Sequence, residues 1–198
     1  DGLVTGVQTC ALPISEVDAR HQDKPEAERA EVARRLAVGA LRYFMLKFTR
    51  NTVIAFDLQE ALSFEGETGP YVQYSAVRAR NIFRKMEERG ETMPDFAALL
   101  NREAFARQLE FEPFWQLLLN AMKLDKALAS ALSSGEPGHM AKYAFTLAQA
   151  FNAFYHDYPI LKEENAEKRV FLLWLAGYFR RQLEATLDIL GMPAPDYM

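Results

Sequence analysis

The sequence predicts a mainly α protein, an antiparallel helical bundle preceded by a helix and a short strand. Apolar residues recur at helical spacing through most of the chain from Pro25 onward. The segments are of similar length and are joined by short breaks holding Gly or Pro, which turns successive helices back on one another. Hydrophobic residues make up 49% of the 198 positions and charged residues 25%, a globular balance with material for one ordinary domain or one and a half.

The elements follow in order. Asp23-Lys-Pro25-Glu-Ala-Glu announces a helix, since proline fits the first turn and acids there complement the dipole. Ala33, Leu36, Ala37, Ala40, Leu41, Phe44, Met45 and Phe48 form its apolar stripe over residues 25–48. Gly39 inside that stripe costs about 1 kcal/mol relative to Ala in an exposed helix, so close packing against a neighbour is expected there. Asn51–Asp57 reads as a strand rich in β-branched residues, and Leu58–Phe64 as one or two helical turns. Residues 65–70 are loop. A first bundle helix then runs from Tyr71 to about Arg89 and stops at Gly90. Pro94–Leu109 is a second segment. Pro113 opens a third, with Phe114, Leu117, Leu118, Ala121, Leu124, Leu128 and Leu132 facing inward. Met140–Tyr155 is a fourth, and Glu163–Leu190 a fifth, closed by Gly191 and Pro193.

Composition excludes several function classes. One cysteine, Cys10, rules out an internal disulfide and a cysteine-based zinc site. His21, His139 and His156 show no ligand spacing, so no metal is expected. No apolar run approaches the roughly 18 residues that span a bilayer, and the expected setting is the cytoplasm. Phosphate-cradling loops, nucleophile elbows and metalloprotease signatures are absent, so no catalytic residue is expected. The net charge of −4 means that any nucleic-acid contact must come from a local patch.

One stretch offers such a patch. In Glu67-Thr-Gly-Pro-Tyr-Val-Gln-Tyr-Ser-Ala-Val-Arg-Ala-Arg80, a Gly-Pro turn delivers Tyr71 and Tyr74 into an arginine-rich helix. Tyr74, Arg78, Asn81 and Lys85 share one helical face, while Val72, Ala76, Ala79, Phe83 and Met86 take the opposite one. Rings beside guanidinium groups suit unpaired, anionic RNA. The same pattern is also that of an ordinary amphipathic helix with a solvated charged face. Later, Phe151, Phe154 and Tyr155 fall at i, i+3 and i+4. The two phenylalanines read as core, with Asn152 and Tyr155 at the edge.

These residues carry a family resemblance. Gly39-Ala-Leu-Arg-Tyr-Phe-Met45, Phe56-Asp57, Gly66 to Arg80, Leu147 to Tyr155 and Leu190-Gly-Met-Pro-Ala-Pro-Asp-Tyr-Met198 resemble arginyl-tRNA synthetases, which are class I enzymes. The likeness runs from about residue 16 onward. It implies that residues 16–72 are the tail of a class I Rossmann catalytic domain, contributing a helix and a strand, and that residues 73–198 are a helical anticodon-binding domain of the DALR type. The parent enzyme would join arginine to tRNA-Arg using ATP with Mg. The HIGH and KMSK signatures do not occur here, so the resemblance implies a fragment that binds the anticodon stem-loop without catalysing the reaction or holding a cofactor. Residue by residue, it implies tRNA contacts from Tyr74, Arg78, Arg84, Asn152, Tyr155 and Met198. Ser75-Ala-Val77 departs from the usual family pattern, which puts a polar contact from position 76 in doubt. A monomer is expected. Residues 1–15 resemble translated adaptor sequence rather than native protein, which would leave the gene truncated. An alternative reading is a non-catalytic bundle that meets protein partners through its aromatic edge.

Overall fold

Helix α1 (Glu26–Leu46) begins after Pro25 with Glu26 and Glu28 in its first turn, in the computed structural model, which describes residues 23–99 and 103–198. The short α2 (Leu58–Leu62) is capped by Asp57, whose Oδ1 accepts from the Gln59 and Glu60 amides at 2.8 and 3.0 Å. Helix α3 (Gly69–Glu88) starts on Thr68, whose hydroxyl accepts from the Tyr71 amide and donates to the Ser63 carbonyl. It ends in a Schellman motif: Gly90 adopts a φ of 68°, and the Glu91 amide reaches back to the Met86 carbonyl at 3.0 Å. There follow α4 (Phe96–Leu99), α5 (Glu103–Gln108), α6 (Glu112–Ala121), α7 (Leu124–Ser134) and α8 (Gly138–Asp157). A 3₁₀ turn (Ile160–Lys162) leads to α9 (Ala166–Ile189).

Helix α3 is the hub, packed against α1, α8 and α9. The core joins its inner face, Val72, Ala76, Ala79, Phe83 and Met86, to Leu147, Phe151 and Phe154 of α8 and to Phe171, Leu175, Phe179 and Leu183 of α9. Two buried tyrosines fasten helices across this core. Tyr43 Oη donates to the Ala141 carbonyl at 2.9 Å, tying α1 to α8, and Tyr143 Oη donates to the Ala121 carbonyl at 2.7 Å, tying α8 to the end of α6.

The crossing of α1 and α3 is very close. A Cβ on Gly69 would lie 2.3 Å from the Gly39 carbonyl oxygen, and a Cβ on Gly39 would lie 2.4 Å from the Gln73 amide. The expected close packing at Gly39 is therefore present, and its neighbour is α3.

Four expectations need correction. No strand forms at 51–57, nor anywhere among the described residues. Among the described residues the run has no partner to complete a ladder, and Val53 is 97% exposed. The expected Rossmann tail is accordingly not seen: α1 buries Ala33 and Leu36 against Phe64 and Tyr197, and Ala40 and Phe44 against Ala61 and Leu62 of α2, not against a sheet, although Leu41 and Met45 stay exposed. The second segment divides into α4 and α5. The third breaks at Met122–Lys123, which resets the helical phase, so Leu132 is 75% exposed and not inward-facing. The adaptor-like reading of residues 1–15, with Cys10, lies outside the described residues, as does His21.

Gly69→Ala should lower stability by about 1–3 kcal/mol or more, since backbone cannot yield as a flexible side chain does; urea unfolding checks this. A second expectation concerns alkaline pH. Burial, then the nearby Glu67 carboxylate, pushes the Tyr43 phenol well above its ordinary value of 10.0. The unfolded chain therefore loses this proton first. The stabilisation is complete below that ordinary value and is lost as pH rises beyond it. Tyr43→Phe should cost about 1 kcal/mol at neutral pH yet flatten the fall in urea midpoint between about pH 9 and 11.

Candidate nucleic-acid interface

The outer face of α3 meets the C-terminal half of α8 in an open cleft. Tyr74, Arg78, Asn81, Ile82 and Lys85 of α3 line it, with Tyr155 of α8, Leu161 of the 3₁₀ turn and Met198, around about 180 Å³. Each side chain is aimed by the helix that carries it. The inner face of α3 is committed to the core, so the residues four and seven positions on from Tyr74 must turn outward. On α8, Phe151 and Phe154 are buried at 0% and 1%, which leaves Tyr155 at the rim, 37% exposed.

Arg78 is the centre of the cleft. Its guanidinium carbon lies 4.6 Å from the centroid of the Tyr74 ring and 5.1 Å from that of Tyr155. Nη1 donates to Asn152 Oδ1 at 2.7 Å and Nη2 to Tyr74 Oη at 2.9 Å. Asn152 Nδ2 donates in turn to Ser75 Oγ at 2.9 Å, and Ser75 Oγ to the Tyr71 carbonyl at 2.8 Å. A continuous polar chain therefore fixes one cation between two aromatic rings, across the α3–α8 interface. Lys85 adds a second, exposed cation at the open end.

Such an arrangement can do two things chemically. The tyrosines and Met198 present flat or polarizable surface for a planar ring to stack on. The two cations attract phosphate, while the amides and hydroxyls can exchange hydrogen bonds with the edge of a base. Among the described residues no cluster of His, Cys, Asp or Glu could hold a metal ion.

Of the residues singled out in the sequence, Tyr74, Arg78, Asn152, Tyr155 and Met198 come together here. Arg84 does not: it points away on the exposed side of α3, within 3.6 Å of Glu88. Ala76 is fully buried, so position 76 offers no contact. Sequence reasoning missed Ser75, Ile82 and Leu161 as parts of the site. Ser75 bonds to a residue 77 positions away, for which no local pattern exists. The proline before the 3₁₀ turn could have drawn attention to Leu161.

Comparisons with known proteins fit this geometry. The model of the "DALR anticodon binding domain" family matches residues 72–198. The arginine–tRNA ligase of Hyphomonas neptunium is 38% identical over 176 residues, covering 89% of this chain and 28% of that protein. That of Pyrococcus furiosus is 34% identical, over 92% of this chain and 28% of its own length. Among solved structures, Thermus thermophilus arginyl-tRNA synthetase superposes with a TM-score of 0.79 at 32% identity, covering 97% of this chain and 31% of that one. The Plasmodium falciparum enzyme shares the fold, with a TM-score of 0.73 at 21% identity. The chain thus spans about a third or less of the length of the relatives it matches.

Asn152 accepts from Arg78 and donates to Ser75, so Asn152→Ala should remove both bonds that join α3 and α8 at the cleft. The expected loss is about 1–3 kcal/mol in urea unfolding, because a half-buried guanidinium loses its acceptor.

Proposed function

This chain belongs to the DALR anticodon binding domain family, and from that premise we propose that it binds the anticodon stem-loop of tRNA-Arg as part of a longer arginine–tRNA ligase. The observation that carries this reading is the guanidinium of Arg78 held between the Tyr74 and Tyr155 rings in an open cleft. An unstacked base of the anticodon loop lies against Tyr74, Tyr155 and Met198, and Arg78 and Lys85 face the flanking phosphates. Stacking of this kind contributes roughly 1–3 kcal/mol per base, and the phosphate contacts make affinity fall with salt.

Arginine, ATP and Mg are substrates and cofactor of the longer protein, bound by parts outside this sequence. Residues 72–198 act as its RNA-binding module, in the cytoplasm, and catalyse nothing by themselves. The motif-level support is that the HIGH and KMSK signatures do not occur in these 198 residues. Arg84, exposed beside Glu88, contacts the stem rather than the loop in this reading.

The test is binding of the chain to a tRNA-Arg transcript, and to the same transcript with its middle anticodon base changed, across a salt series. Preferential and salt-sensitive binding to the unaltered transcript is expected. Tyr155→Ala should cost about tenfold in affinity. Equal, weak binding to both transcripts, or binding that ignores salt, would count against an anticodon reader and favour an apolar protein interface.

A further inference from the structure

The segment 191–198 reaches the cleft with no helix or strand of its own. It leaves α9 through Gly191, at a φ of 65°, and the Met192 amide turns back to the Leu187 carbonyl at 2.8 Å. Pro193 and Pro195 have no N–H, so this backbone can join no regular hydrogen-bond pattern, and its carbonyls need donors from elsewhere. Three side chains supply them to three successive residues. Gln73 Nε2 donates to the Pro193 carbonyl at 3.0 Å, Arg35 Nη1 to that of Ala194 at 3.4 Å, and Arg80 Nη1 to that of Pro195 at 3.2 Å.

The clamp is itself held from behind. Gln73 is fully buried, and its amide also donates to the Arg35 carbonyl of α1 at 3.1 Å. Arg80 is fixed by Glu184 of α9 at 3.1 Å and stands 3.6 Å from Asp196. Past the clamp, Tyr197 packs on Val32, Ala33 and Leu36 of α1. Met198 then reaches the cleft beside Tyr74, Arg78 and Tyr155. None of Arg35, Gln73 and Arg80 lines the cleft.

We infer that Arg35, Gln73 and Arg80 are positioning residues for the RNA site, acting through the 191–198 segment to set where Met198 stands and hence which base the cleft admits. The inference rests on the anticodon-binding reading above. It gives α1, which lies outside the family match, a part in specificity without any contact to RNA. Gln73 is pressed against Gly39, so α1 limits where its amide can go.

The experiment uses the whole chain with Arg80→Met, Arg80→Lys, Met198→Ala and the double variant Arg80→Met/Met198→Ala. The methyl NMR resonance of Met198, which lies beside the Tyr74 and Tyr155 rings, reads the clamp in the absence of RNA. The ratio of affinities for the unaltered and middle-base-changed tRNA-Arg transcripts reads specificity. Arg80→Met should move this resonance toward its random-coil position while α8 is unchanged, and should lower the ratio roughly tenfold, the size of one lost base contact. In the Met198→Ala background it should lower the ratio no further, because the two changes act through one element. Arg80→Lys, which keeps a donor and the charge, should retain the ratio within about threefold. A released Met198 methyl with an unchanged ratio overturns the inference, and so does an effect that adds in full to that of Met198→Ala. Should the unsubstituted chain bind both transcripts equally, the proposed function itself falls and the specificity role with it. That result is separate from the others because it appears before any substitution is made.

Discussion

The touching backbones of α1 and α3 at Gly39 and Gly69 set the frame for everything else in this protein. With a carbonyl of one helix where the other would carry a methyl group, the two axes have almost no freedom to slide. One turn beyond this contact Gln73 is trapped with its amide against Gly39, where it can reach carbonyls of both α1 and the 191–198 segment. The rotation of α3 about its own axis is fixed by the same contact. Its apolar side must then face α8 and α9, and its polar side must face the cleft.

Within the cleft, the balance is between exposure and order. A cation that was fully buried would suffer a large desolvation cost, and one fully exposed would be free to wander. Arg78 sits between these limits, half-buried, with an amide acceptor, a phenolic oxygen and two ring faces around it. The acceptor comes from α8, so the site exists only when the two helices are docked. Core packing by Phe151 and Phe154 is therefore as much a condition of the site as the polar groups that line it.

Much of this was legible in the sequence, for reasons that differ by element. The two faces of α3 followed from helical geometry alone, and the burial of Val72, Ala76, Ala79, Phe83 and Met86 agrees with it residue by residue. The stops at Gly90 and Gly191 were readable because a left-handed turn residue is nearly always glycine. Residues 51–57 misled, because β-branched composition reports a preference and not the presence of a partner strand. The break at Met122–Lys123 carries neither Gly nor Pro, and it left Leu132 exposed, whereas Leu124 and Leu128 still pack against the core. The cleft was legible one helix at a time. What could not be read was the pairing of Ser75 with Asn152, and the three carbonyl contacts to residues 193–195, since such contacts depend on helix crossing and leave no periodic trace.

The fixed posture of Arg78 has a thermodynamic corollary. An arginine on an open surface surrenders about 2 kcal/mol of rotamer freedom when a ligand immobilises it. Here Asn152 and the two tyrosine rings impose that restriction when the bundle folds, so association meets a side chain already at rest. Recognition at this cleft then carries a smaller entropic penalty than a free arginine would bring, and the heat of contact is less fully cancelled.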